Sequence, residues 1–238
     1  MKVNTPALSA DDAERLRKSP PLRHFRGRNN TKADVFVYRL RDLTIALKDY
    51  ASRPLLIRNT LGRYLVRRET AAYRAVGRLS GLPRFLGRVG PFALATEWID
   101  ARPLSQLASD KVPDECFDRL EALVASLHQR GVALADLHHR DVLVGAQGSI
   151  HIVDLATAWV AGPRAGRIRR RLFVGFCGQD RVALARMRAR FTGGEESVAV
   201  AAVGASAASW HRRGRQLKSW LDRLRRRGRR RKNDASRS

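Results

Sequence analysis

A strand candidate rich in β-branched and aromatic residues, with alternating character, runs from Asp34 to Leu40, and a second β-like run extends from Leu43 to Lys48. The short Arg41-Asp42 link between them reads as a hairpin turn. From about Gly62 to Ser80 the period becomes helical, with Leu65, Ala72, Tyr73, Val76 and Leu79 on one face, and Gly81 and Pro83 ending the run. Phe85–Arg88 and Phe92–Trp98 read as a second strand pair broken by Gly90-Pro91. From Asp114 to Arg130 the helical period returns through Phe117, Leu120, Leu123, Val124 and Leu127, and Gly131 is placed to cap the C-terminus. Val142–Val144 and Ile150–Val153 then make a short hairpin around Gly145–Ser149. Residues 1 to 33 are polar and mixed, and no internal repeat is visible. Strands come mostly first and helices later, which predicts an α+β chain with a mainly β first lobe and a mainly helical second lobe. The expected boundaries are an extension at 1–24, lobes at 25–100 and 101–209, and a tail at 210–238.

Composition changes this picture mainly through charge. The 238 residues carry a formal net charge of +25, which calls for acidic partners: nucleic acid, anionic lipid or phosphorylated substrates. The tail concentrates the charge, with 13 Lys/Arg against two Asp from His211 to Ser238. Trp210, Leu217, Trp220, Leu221 and Leu224 share one helical face there, the pattern of a helix lying in a membrane interface or of one packed on a core. Two distant cysteines, Cys116 and Cys177, argue against a disulfide framework or a zinc site and for a reducing compartment. The longest apolar run, Val198–Ala208, is too short to span a bilayer, and Met1–Asp12 lacks the apolar stretch of a signal peptide. The expectation is a cytoplasmic protein, either soluble or peripheral on the inner membrane face.

The densest chemical signal is the segment Ala135-Asp136-Leu137-His138-His139-Arg140-Asp141-Val142. One acid enters a loop, a second follows five residues later at the start of a strand, and a third, Asp154, closes the next strand. Carboxylates gathered around one hairpin repel each other unless cations join them. Phosphoryl transfer needs that arrangement: one acid orients the attacking hydroxyl and others hold Mg²⁺ against nucleotide phosphates.

This spacing resembles the protein kinases, whose catalytic loop has the form Asp-x-x-x-x-Asn and is followed by an Asp-Phe-Gly metal site. The resemblance covers roughly residues 25 to 160. It puts Asp136 at the catalytic acid, Asp141 at the asparagine, and Asp154-Leu155-Ala156 at Asp-Phe-Gly. Asp in place of Asn, Leu-Ala in place of Phe-Gly, and Leu134-Ala135 in place of His-Arg look more like the RIO and lipopolysaccharide (Kdo) kinase branch than like regulated kinases. The resemblance implies a bilobal protein-kinase-like fold, ATP, and Mg²⁺ or Mn²⁺ held by Asp141 and Asp154. It also implies a strand lysine for the α- and β-phosphates, Lys48, and a helix glutamate paired with it, Glu69. The stretch from Glu97 to Leu104 falls where kinases read the adenine edge with backbone groups, which makes Glu97 and Ile99 nucleotide contacts.

Alternatives stand beside each of these. Glu69 reads also as a helix-surface acid paired with a neighbouring arginine such as Arg68, and Lys48 as an ordinary exposed strand-end lysine. Arg26–Lys32, where a glycine-rich loop would lie, has one glycine and reads also as a flexible polar turn. Arg164–Arg171 reads as a solvated basic loop or as a site for an acidic acceptor. At the level of function, an active kinase acting on a glycolipid sugar or a protein Ser/Thr competes with two other readings. One is a pseudokinase scaffold; the other is a basic membrane- or nucleic-acid-binding protein.

Overall fold

The computed structural model describes residues 8–29, 31–108, 112–162 and 165–203; the basic tail lies outside them. Within these limits the chain is α+β. Helix α1 (Ala10–Lys18) starts at a capping box, in which the Ser9 hydroxyl accepts from Asp12 N–H and the Asp12 carboxylate accepts from Ser9 N–H. Strands β1 (Arg23–Phe25), β2 (Asp34–Leu40) and β3 (Leu43–Asp49) follow. The next helical stretch runs through α2 (Leu55–Ile57), a π turn (Arg58–Gly62) and α3 (Arg63–Val76). Strands β4 (Phe85–Arg88) and β5 (Ala93–Glu97) complete an antiparallel five-stranded sheet of order β1-β2-β3-β5-β4.

Alternation along β3 decides what the sheet does. Ile45 and Leu47 are buried in a cluster with Leu16 of α1, Tyr38, Leu86 and Ala95, so α1 closes that side. Lys48 has the opposite parity and pairs in register with Val35 and Leu94. Leu94 is buried with Val66 of α3, which puts Lys48 on the face that α3 covers.

The rest of the described chain is mainly helical. It contains β6 (Arg102–Pro103), α4 (Glu115–Gln129), β7 (Val132–Ala133), β8 (Val142–Val144), β9 (Ile150–Ile152), β10 (Trp159–Val160), α5 (Arg167–Thr192) and α6 (Glu196–Ala202). The expected apolar stripe of α4, Phe117, Leu120, Leu123, Val124 and Leu127, is buried. It packs with Leu134, Val142, Ile152, Leu155, Leu184 and Met187 in the largest core. Gly131 takes φ +73° after α4 and donates to His128 O at 2.9 Å, as a C-terminal cap does.

Several expectations need correction. The polar stretch 1–33 holds α1 and β1, and the boundary expected between the extension at 1–24 and the first lobe at 25–100 falls inside β1. The helix expected over Gly62–Ser80 begins earlier, at Leu55, and stops at Val76, where Gly77 takes φ +66°. The basic loop at Arg164–Arg171 is instead, from Arg167 onward, the start of the 26-residue helix α5. Arginines break up the apolar spacing there, so periodicity alone does not reveal it.

Candidate active site

Three elements bring the site together. Lys48 extends from β3, Glu69 from the middle of α3, and Asp154 from the turn after β9. Lys48 Nζ donates to Glu69 Oε1 at 2.6 Å and to Asp154 Oδ1 at 3.0 Å. These partners are 21 and 106 residues away in sequence. Glu69 is 2% exposed, and a carboxylate so buried needs a partner. Arg68 does not supply it. Its Nε donates to Ala158 O at 2.9 Å and its Nη2 to Thr157 O at 2.6 Å, so adjacent residues of α3 grip the site from two sides.

The electrostatics follow from this burial. Desolvation works against the Lys48 ammonium, but Asp154 and Glu69 outweigh it and hold its pKa well above the ordinary lysine range. Burial likewise works against ionised Asp154. The Lys48 charge, the Ala156 N–H (2.9 Å to Oδ1) and Lys32 reverse that and keep it below the usual carboxylate range. Asp141 is less well compensated: burial first, and the Asp154 charge second, push it up to about 6 against the opposing charges of Lys48 and Lys32. Asp136 also acts on Asp141 in the same direction, and it sits exposed on the loop before it.

The two carboxylates Asp141 and Asp154 thus oppose each other while offering hard oxygen donors, which suits Mg²⁺ or Mn²⁺. Among the described residues no group of three or more His, Cys, Asp or Glu could hold a metal by itself. A divalent ion here would take two protein carboxylates and draw its other oxygens from phosphate and water. Asp141→Asn tests this electrostatic account without any assay of activity. A carboxyl raised in the folded state stabilises fully below the unfolded value near 3.8 and loses that stability as pH rises through about 6. Asp141→Asn is therefore expected to raise metal-free stability by about 1–2 kcal/mol at pH 7 and by little at pH 4. Thermal melts at both pH values check it; an equal shift at both would remove the Asp141–Asp154 repulsion from the account.

Beside the acids lies a slot of about 400 Å³ lined by Val35, Ala46, Leu143, Val153 and the Glu97–Ala101 stretch. Glu97 N–H donates to Arg84 O and Trp98 N–H to Thr44 O, both at 2.9 Å. These bonds fix the backbone that borders the slot, while Ile99 N–H has no backbone partner among the described residues. Phe25 and Trp98 stack at 5.8 Å and also line it.

Within the Arg26–Lys32 stretch the backbone at Gly27 is anchored. Asp34, 5% exposed, accepts from Gly27 N–H at 2.8 Å, from Ser52 Oγ at 2.7 Å and from Arg53. A Cβ at Gly27 would lie 2.6 Å from Lys32 O and 2.7 Å from Ala33 O, so only glycine fits this close approach.

One group that sequence reasoning missed holds the backbone just before Asp136. Asp180 of α5 is fully buried. Its carboxylate accepts from Leu134 N–H at 2.8 Å and Ala135 N–H at 2.9 Å, and His128 Nε2 lies 2.8 Å away. Ala135 takes φ +65° immediately before Asp136, a conformation disfavoured for a residue with a Cβ. The available signal was that Asp180 is the only acid between Arg167 and Thr192. No protein-family model matches the chain, and no curated protein matches it in sequence.

Proposed function

We propose that this chain is an ATP-dependent phosphotransferase with a bilobal protein-kinase-like fold. The observation that carries the reading is the meeting of Lys48, Glu69 and Asp154, from three distant parts of the chain, beside Asp141 and an apolar slot. A purely structural ion pair would need one carboxylate; two carboxylates on one buried lysine, with a third and a fourth nearby, suit a polyphosphate and its cation.

In this reading the adenine lies between Val35 and Ala46 on one side and Leu143 and Val153 on the other. The Glu97 carbonyl and the Ile99 N–H meet its edge. Lys48, fixed in place by Glu69, holds the α- and β-phosphates. Asp141 and Asp154 hold Mg²⁺ or Mn²⁺, which when bound neutralises phosphate charge. Asp136 orients the acceptor hydroxyl and takes its proton. The acceptor is a hydroxyl on an anionic glycolipid sugar or a protein Ser/Thr, in keeping with the net charge of +25.

Radiolabelled ATP incubated with the chain and each acceptor class, with autophosphorylation as control, tests the activity. Nucleotide binding without transfer to any acceptor would instead indicate a scaffold. The Lys48–Glu69 pairing has its own test. A double-mutant cycle on ATP affinity with Lys48→Met and Glu69→Gln is expected to show about 1–3 kcal/mol of coupling. Strict additivity would separate the two residues functionally.

A further inference from the structure

The first two turns of α5 present a face that the nucleotide site does not use. Arg167, Ile168, Arg169, Arg170, Arg171 and Val174 are all exposed over these two turns, with Arg167, Arg171 and Val174 in line at i, i+4 and i+7. Ile168 is 80% exposed and Val174 64%, so two large aliphatic side chains stand open to solvent among these arginines. The opposite side is inward: Phe173 meets His128 edge-on and Phe176 packs on Trp159, while Gly175 and Gly178, one turn beyond the exposed residues, are buried and mark where that face ends.

The charge here is costly to the helix itself. Its first turn holds no acid and Gly166 provides no side-chain cap, so cations crowd the positive end of the helix dipole. Asp180, the helix's only acid, is buried against the catalytic-loop backbone and offers the surface nothing. Next to this face, Trp159, Ile168 and Leu172 line an open apolar depression.

We infer that this face docks the folded domain onto an anionic bilayer surface, independently of the basic tail. Arginines interleaved with exposed aliphatics match headgroup phosphates above an acyl boundary. Nucleic acid would use the arginines but leaves Ile168 and Val174 unexplained, since single strands are gripped by stacking aromatics and duplexes by backbone charge. Among the described residues no helix is long and apolar enough to cross a membrane, so the contact proposed is peripheral.

The test is flotation of the full chain with vesicles of phosphatidylcholine alone, and of equal parts phosphatidylcholine and phosphatidylglycerol. The wild-type chain is expected to float only with the anionic vesicles. Ile168→Ser/Val174→Ser is expected to weaken binding about tenfold, with the aliphatic contribution surviving high salt. Arg170→Glu/Arg171→Glu is expected to weaken it by more than tenfold at low salt. All four positions are on the surface, and circular dichroism confirms folding of each variant. If both variants float like wild type, lipid contact lies elsewhere and the inference falls. It falls too if only the charge variant loses binding and duplex or single-stranded nucleic acid competes the protein off the vesicles.

Discussion

Replacing Asp136 with alanine is expected to lower phosphoryl transfer by about a thousandfold or more while leaving ATP affinity within about threefold. The physical reason is the division of labour among the carboxylates. Asp154 is bonded to Lys48 and to the Ala156 amide, so its charge is committed. Asp141 is mostly desolvated and shares its surroundings with Asp154. Asp136 alone is exposed, at the position an incoming hydroxyl can reach. Under the proposed phosphotransferase reading its removal takes away the group that orients the nucleophile but none of the groups that line the slot. Single-turnover transfer and equilibrium ATP binding, measured on the same preparation, separate the two effects. A variant that still transfers at the wild-type rate would assign the proton to another group. A variant that loses ATP binding in parallel would make Asp136 part of the nucleotide site.

Legibility in the sequence followed local chain geometry. The β8–β9 hairpin carries Asp141 on one flank and Asp154 on the other, so a short loop fixes their separation and spacing alone exposes them. The Glu69 reading depended on which of two cations it meets, and spacing within one helix could not decide that. The outcome required the sheet register that puts Lys48 on the α3 side. Elements without alternation stayed hidden. Strand β1 is exposed at all three residues and holds its place by pairing with β2, which leaves no apolar pattern to read. Helix α5 carries eight arginines among its 26 residues, and their long stems cover apolar surface without contributing to an apolar period. Its small residues Gly175 and Gly178 argue locally against a helix, although both are buried where close packing favours them. Asp180 was lost with that helix, and so was the reason Ala135 can hold a positive φ. The tail stripe from Trp210 to Leu224 lies outside the described residues, and its two readings stand as they did.

Asp180 therefore carries the second large prediction. Asp180→Ala removes three polar contacts at once from a fully buried position: Leu134 N–H, Ala135 N–H and His128. Each buried group left without a partner costs about 1–3 kcal/mol, so a total loss of about 3–5 kcal/mol of stability is expected. That is a large part of the stability of an ordinary domain. Asp180→Asn keeps the shape and one acceptor oxygen and is expected to lose less, about 1–3 kcal/mol. Ala135→Gly provides the contrast. It relieves the penalty of φ +65°, worth about 1 kcal/mol, though the freer unfolded chain offsets part of the gain. If the anchor exists to hold Asp136, Asp180→Asn should reduce transfer far more than its modest effect on stability explains, at a temperature where the variant remains folded. Ala135→Gly should then retain much of the activity, because the two amide bonds to Asp180 persist. Urea unfolding followed by fluorescence gives the stabilities, and transfer assays below the melting range give the rates. An Asp180→Ala protein within about 1 kcal/mol of wild type would show that the loop backbone is held by its own turn, where Asp141 N–H donates to His138 O at 2.9 Å, and not by α5.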